Sequence, residues 1–280
     1  MSSENKLHAF VRGEIVPLDQ AYLHVSDLSI QRGYGVFDFL KIINGRPLFL
    51  EDYLARFYAS ATRMHLAVPL SEDALKTTIY RLIELNRLPM AGMKIILTGG
   101  YSDSGYDIGD PSLLIIQQPL RLPGQALRER GLKVITHDYV REVPTVKTIN
   151  YSMGIRLINK IKENGADDVL YHREGLVTEF PRCNFFIVKQ DGTVVTPAED
   201  VLRGITRKHV LELAGRTYKV VEGAVTLDDI RQASEAFLTS TTKRILPVVQ
   251  VDDVVIGNGK PGAVTLSLLQ DLIQLEEREA

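Results

Sequence analysis

Residues 119–124 read PLRLPG, two prolines and one glycine in six positions. Proline has no amide hydrogen to give a helix or a central strand, so no regular element is expected to run through this stretch. The chain of 280 residues is therefore expected to fold in two parts, a smaller one over 1–118 and a larger one over 125–280, with 119–124 as linker. Each part mixes short β-rich runs with segments of helical period, which predicts α+β architecture without regular βαβ alternation.

In the first part, HAFVRGEIVPLD and FDFLKIINGRPLFL predict short strands, with a tight turn at Asn44-Gly45. Leu54, Phe57, Tyr58 and Ala61 recur at helical spacing, predicting a helix over 51–66, and Ser71 can cap a second helix carrying Leu75, Ile79, Leu82 and Ile83. Met93–Thr98 and Leu113–Gln117 are apolar enough for buried strands, and the long GGYSDSGYDIGDP loop between them is of a length usually tied to function. Beyond the linker, strands are predicted at 132–137, 169–172, 184–189, 193–196, 236–240 and 246–255, with Asp191-Gly192 turning one pair. Helices are predicted from about Tyr151 to Gly165, from Ile205 to Gly215 and at the end of the chain.

Composition narrows the function. With 33 Lys+Arg against 35 Asp+Glu the formal charge is −2, without a long run of one sign, which argues against nucleic acid or an anionic membrane as the main partner. The single Cys183 cannot form an internal disulfide, and the six histidines have no metal-ligand spacing, so no metal site is expected. MSSENKLHAF lacks the pattern of a signal peptide and no apolar run reaches the ~18 residues of a membrane span, which reads as cytoplasmic. Small molecules are the expected partners.

Nucleotide loops of the GxxxxGK[ST] and GxGxxG types are missing, as is a GxSxG elbow. LRGITR (202–207) sets Gly204 before a helix start, where the amides of Ile205 and Thr206 can face a phosphate; the plainer reading is a glycine entering a helix. VPTVKTINYS sets Lys147 among β-branched residues, where desolvation would favour a neutral, nucleophilic amine, although most lysines are simply solvated. Glu179 reads as a strand-end charge or as a partner for a pyridinium nitrogen. Arg56 reads as helix surface or as a phosphate clamp.

Taken in order, RGYGVFD (32–38), LEDYLARFYASA (50–61), VKTINY (146–151), TEFPRCNFF (178–186), LRGITR and FLTSTT (237–242) resemble the fold-type IV, or class IV, pyridoxal-phosphate transaminases. That family includes D-amino acid transaminases, branched-chain aminotransferases and aminodeoxychorismate lyases. The resemblance implies two α+β domains with pyridoxal 5′-phosphate between them, in a homodimer whose sites borrow loops from the neighbour. It implies that Lys147 forms the Schiff base with the cofactor aldehyde and then carries the proton, and that Glu179 keeps the pyridine nitrogen protonated. Arg56, Gly204 with the Ile205 and Thr206 amides, and Thr241 match the family's phosphate cup; Leu202 would pack on the ring, and Tyr151 would bond its hydroxyl.

The departures concern the substrate. D-amino acid transaminases usually have a tyrosine where this chain has Phe37, and an Arg and a His for the substrate carboxylate where it reads LTGGYSDSG. Branched-chain enzymes have Tyr-Gly in place of Arg32-Gly33. Arg32 and Arg182 read as surface salt bridges or as an alternative carboxylate clamp, and LHVSDLSIQRGYGVFD with TGGYSDSGYD is similar to an atypical D-amino acid transaminase subgroup that uses such a pair. The expectation is transfer of an amino group from D-glutamate or D-alanine to a 2-oxo acid, with a branched-chain L-aminotransferase and then an aminodeoxychorismate lyase as alternatives. Cys183 is expected to be a buried structural thiol.

Overall fold

The computed structural model describes residues 6–280, so the first five residues of the segment read as leaderless lie outside it. By their internal packing the described residues form two compact units, one through 121 with 146–150 and 279–280, and the other 122–145 with 151–278. The linker position predicts that everything after residue 124 joins the second part. The segment 146–150 goes instead with the first unit, because its backbone pairs with a strand there.

The first unit is a sheet in the order β2-β1-β6-β5-β3-β4, where β1 is His8–Val11, β2 Glu14–Pro17, β3 Gly35–Ile43, β4 Arg46–Pro47, β5 Met90–Thr98 and β6 Leu113–Pro119. The helices are α1 (Leu28–Arg32), α2 (Leu50–Arg63) and α3 (Glu72–Asn86). Along β3, Val36, Asp38, Leu40 and Ile42 are buried, the period-2 pattern of a strand with one face on helices, and α2 packs against it. Asn44 (φ 50°) and Gly45 (φ 81°) turn β3 into β4 as expected. Ser71 caps α3 through a bond from the Ala74 amide to its Oγ (3.3 Å). α2 stops at Arg63 rather than running to 66, and His65 takes the left-handed conformation (φ 54°) that turns the chain away.

The second unit is built on a sheet in the order β12-β11-β10-β13-β14-β7-β8-β9, with β15 paired to β14. Here β7 is Leu132–Asp138, β8 Asp168–Arg173, β9 Leu176–Val177, β10 Asn184–Val188, β11 Val194–Pro197, β12 Val220–Gly223, β13 Glu235–Ser240, β14 Arg244–Val251 and β15 Val254–Val255. Helices α4 (Gln125–Arg130), α5 (Ser152–Arg156), α6 (Ile158–Glu163), α7 (Ile205–Ala214), α8 (Leu227–Gln232) and α9 (Ala263–Glu279) accompany it. β10 is buried on both faces. Phe185 and Ile187 face one core, with Ile230 of α8. Phe186 and Val188 face the other, with Val210 and Leu213 of α7 and Leu268 and Leu272 of α9. Phe186 stacks on Phe237 at 4.8 Å between centroids, worth about 0.5–1.5 kcal/mol beyond the area it buries. Because side chains alternate, Asn184 lies on the α7 side of β10, and this fixes what the start of α7 meets.

Two expectations in this unit are corrected. The strand expected over 246–255 is a hairpin, β14 and β15, turned at Asp252 (φ 50°). The single helix expected to Gly165 is two, broken at Leu157. The short β12 and α8 have no counterpart among the predicted elements. Among the described residues no helix is long and apolar enough to cross a membrane.

Candidate active site

The predicted site residues fall into two sets, one on each unit. On the first, residues 146–150 lie along the start of β3. Thr148 bridges to Val36, the Phe37 amide donates to the Lys147 carbonyl (2.9 Å), and the Ile149 amide donates to the Gly35 carbonyl (3.1 Å). Gly35 permits this approach, since a Cβ there would sit 2.7 Å from the Leu97 carbonyl oxygen and 3.1 Å from the Ile149 side chain. The Lys147 amide reaches Ser60 Oγ of α2 (3.4 Å). Its ammonium, half-buried, stands 4.5 Å from the centroid of the Phe37 ring, and Lys94 of β5 stands 5.7 Å from the same ring. Phe37, which the sequence marks only as a departure, is thus the platform for two cations.

Arg56 of α2 is gripped by Asp38. Its Nε donates to Oδ2 (2.9 Å) and its Nη2 to Oδ1 (2.6 Å), while its guanidinium lies 5.4 Å from the Tyr53 ring centroid. Asp38 is fully buried and Arg56 nearly so, the planar bidentate geometry in which an arginine side chain is held still. Sequence reasoning missed Asp38. Its signal is a carboxylate inside the otherwise apolar run GVFDFL. Arg32 sits exposed at the end of α1 with Nη1 bonded to the Gln31 carbonyl (2.9 Å). The buried Asp27 caps that helix, accepting from the Ser29 amide (2.9 Å) and from Thr98 Oγ1 (2.8 Å).

On the second unit, Glu179 is buried and bridges backbone-to-backbone with Asn184. Its Oε1 accepts from Arg141 Nε (2.8 Å) and pairs with Nη2 (2.7 Å), and its Oε2 accepts from the Leu202 amide (3.0 Å) and Asn184 Nδ2 (3.4 Å). Asn184 Nδ2 also donates to the Leu202 carbonyl (2.7 Å). Leu202 is therefore held at both backbone groups. Gly204 follows as the residue before α7, with no side-chain cap, so the first amides of that helix, Ile205 and Thr206, have the character of an anion site. A Cβ at Gly204 would fall 2.1 Å from Asn184 Oδ1. Glu179, Leu202, Gly204, Ile205 and Thr206 are thereby brought together, and Arg141 and Asn184, absent from the sequence reading, hold the cluster in place.

Tyr151 begins α5, and Thr241 lies in the turn after β13, where the Lys243 amide bonds Ser240 Oγ (3.2 Å). Arg182 is exposed, between Glu179 and β10. Burial pushes the neighbouring Cys183 thiol up, over the lowering influence of Lys243 and Arg182, which fits an inert structural thiol.

The model of the family "Amino-transferase class IV" matches residues 35–251. A D-alanine aminotransferase of Bacillus licheniformis is 30% identical over 261 residues, covering 90% of this chain and 91% of its own. A putative branched-chain-amino-acid aminotransferase of Methanocaldococcus jannaschii is 32% identical over 274 residues, 92% of this chain and 93% of its own. In fold, the chain resembles the branched-chain amino acid aminotransferase of Escherichia coli (TM-score 0.91, 24% identity, 98% of this chain and 96% of that one). It also resembles a second branched-chain amino acid aminotransferase, from T.th., solved with pyridoxamine 5′-phosphate (TM-score 0.90, 24% identity, 98% and 95%).

Proposed function

Since the chain belongs to the class IV aminotransferase family, which uses pyridoxal 5′-phosphate, we propose that it moves the amino group of a D-amino acid of the D-glutamate or D-alanine type to a 2-oxo acid. The observation that carries the chemistry is an amine set on an aromatic face, Lys147 over Phe37, in a chain whose second unit buries a carboxylate, Glu179, beside an arginine.

The residues present fit the cofactor. The first amides of α7 have no side-chain cap, and Gly204 before them lets the backbone pass so close to Asn184 that a Cβ would fall 2.1 Å from Asn184 Oδ1. Thr239, directly opposite Asn184 on β13 and so on the same sheet face, has a buried hydroxyl without a hydrogen-bond partner among the described residues. A polar ligand beside this cluster would satisfy it.

When bound, pyridoxal phosphate supplies an aldehyde carbon and a protonated ring that accepts the electron pair left by the substrate Cα–H bond. Lys147 Nζ would be the amine that holds the aldehyde carbon and the base that would carry the substrate Cα proton. Glu179 would keep a proton on the pyridine nitrogen. Arg56, steadied by Asp38, would serve the phosphate, as would the amides of Ile205 and Thr206 and the hydroxyl of Thr241, while Leu202 would pack on the ring and Tyr151 would bond the ring hydroxyl. Exposed Tyr22, Val25, Ile30 and Tyr106 on the first unit support a homodimer as the active form.

Arg32 and Arg182 clamp the substrate α-carboxylate in this reading. Lysine would reach one face of the cofactor, so the Cα–H would have to point there, and the side on which the carboxylate is held would select the enantiomer. The D reading rests on the arginine pair and on the D-alanine aminotransferase relatives, and the branched-chain L reading on the relative at 32% identity. Incubating the holoenzyme with D- and L-glutamate separately and following the cofactor absorbance decides between them: rapid conversion with the D-enantiomer alone is expected, and rapid conversion with only the L-enantiomer overturns the assignment.

A further inference from the structure

We infer that Arg141 is a positioning residue for the ring-binding carboxylate, fixing Glu179 in its ionised form so that the shared proton stays on the pyridine nitrogen; this rests on the cofactor reading of Glu179 given above. Glu179 is buried and Arg141 nearly so, their side chains 6% and 11% exposed, and the guanidinium meets Oε1 through Nε at 2.8 Å and Nη2 at 2.7 Å. Arg141 Nη2 also donates to the Pro144 carbonyl, which ties the guanidinium to its own loop six positions before Lys147. The other oxygen, Oε2, takes the Leu202 amide and Asn184 Nδ2. Every one of these contacts is a donor, and a protonated carboxyl would waste at least one of them, so the surroundings are built for a carboxylate.

Two opposing electrostatic effects follow. The guanidinium stabilises the negative carboxylate and repels a positive ring. It touches the carboxylate itself, whereas a ring bonded to that carboxylate is farther away, and Coulomb energy falls with distance, so the attraction to Glu179 is the larger effect. Without Arg141 the carboxyl would become more basic and compete for the ring proton. The strength of the cofactor as an electron sink is then set in part by a residue that need not touch it.

The test is the protonation state of the ring nitrogen, read by nitrogen-15 NMR of holoenzyme reconstituted with labelled pyridoxal phosphate across a pH series. In the natural protein and in Arg141→Lys, which keeps the charge, the nitrogen is expected to stay protonated at neutral pH, with weaker cofactor retention in the lysine variant. In Arg141→Met that protonation is expected to be lost while cofactor still binds. An unchanged nitrogen profile in Arg141→Met overturns the inference. Should Arg141→Met fail to fold, Arg141→Lys decides, because loss of ring protonation despite a retained charge would equally overturn it. Glu179→Gln separates the two levels: if it leaves the ring protonated, the assignment of Glu179 fails, and if it alone removes the proton, only the role of Arg141 fails.

Discussion

A buried carboxylate survives in a β-strand only if something pays back the hydration it lost, and Asp38 shows what does so here. Two short bonds from Arg56, at 2.9 and 2.6 Å, satisfy both its oxygens. Removing one member of such a pair strands the other, at a cost of about 3–5 kcal/mol for buried pairs. Asp38→Asn is therefore expected to lower the urea midpoint of the cofactor-free chain strongly, and the double variant Asp38→Asn with Arg56→Met to recover part of the loss. Equal stability of Asp38→Asn and the natural chain would show that the pair is not a structural one. The same case marks what a sequence can reveal at this scale. Lys147, Glu179 and Arg56 lie in ordered motifs and could be named, whereas Asp38, Arg141 and Asn184 act through partners that folding brings near. Glu179 and Arg141 are 38 positions apart, and nothing local to either residue announces the other.

Among the elements, those with a strong local cause were legible. Asn44-Gly45 needs left-handed backbone at both positions, and both have it; Ser71 supplies the oxygen that the first turn of α3 lacks. Elements shaped by neighbours were not legible. β12 is four half-exposed residues that exist as a strand because β11 pairs with it in parallel, and α1 is five residues, too few for a period to show, held by the buried cap Asp27. α7 joins both kinds. Its start at Ile205 follows from Gly204, but the reason for glycine lies across the unit, in Asn184. Gly204→Ala is expected to push Asn184 out of its bonds to Glu179 and Leu202 and to weaken pyridoxal phosphate binding roughly tenfold or more, in line with the 1–3 kcal/mol cost of a broken buried hydrogen bond. Equilibrium dialysis measures this, with circular dichroism to verify that α7 remains; unchanged affinity would mean that the start of α7 is not the phosphate site.

For the molecule as a whole, a formal charge of −2 conceals how unevenly its titrating groups are placed. Three aspartates of the second unit are held below the usual carboxylate range. At Asp229 the Thr226 hydroxyl and amide are the cause, and at Asp191 the Thr193 amide and hydroxyl. At Asp167 burial pushes upward but the Arg130 guanidinium and the Lys133 amide outweigh it. His137 of β7 is lowered as well, first by burial and then by Lys160. In each case the folded form binds its proton less readily than the unfolded chain, so acid favours unfolding. The histidine contribution is complete above its unfolded pKa of about 6.5 and is lost as pH falls below it; the aspartate contributions are complete above about 3.9 and are lost as pH falls through the folded values. Stability of the cofactor-free chain is thus expected to be level between about pH 7 and 8, to decline modestly toward pH ~5 and to drop again below pH ~4. The cofactor must be absent because a bound ligand adds stability that itself varies with pH. Urea unfolding along this series should show both declines, with His137→Gln removing the first and keeping the second; a natural chain equally stable on either side of the histidine range would overturn this account of its acid response.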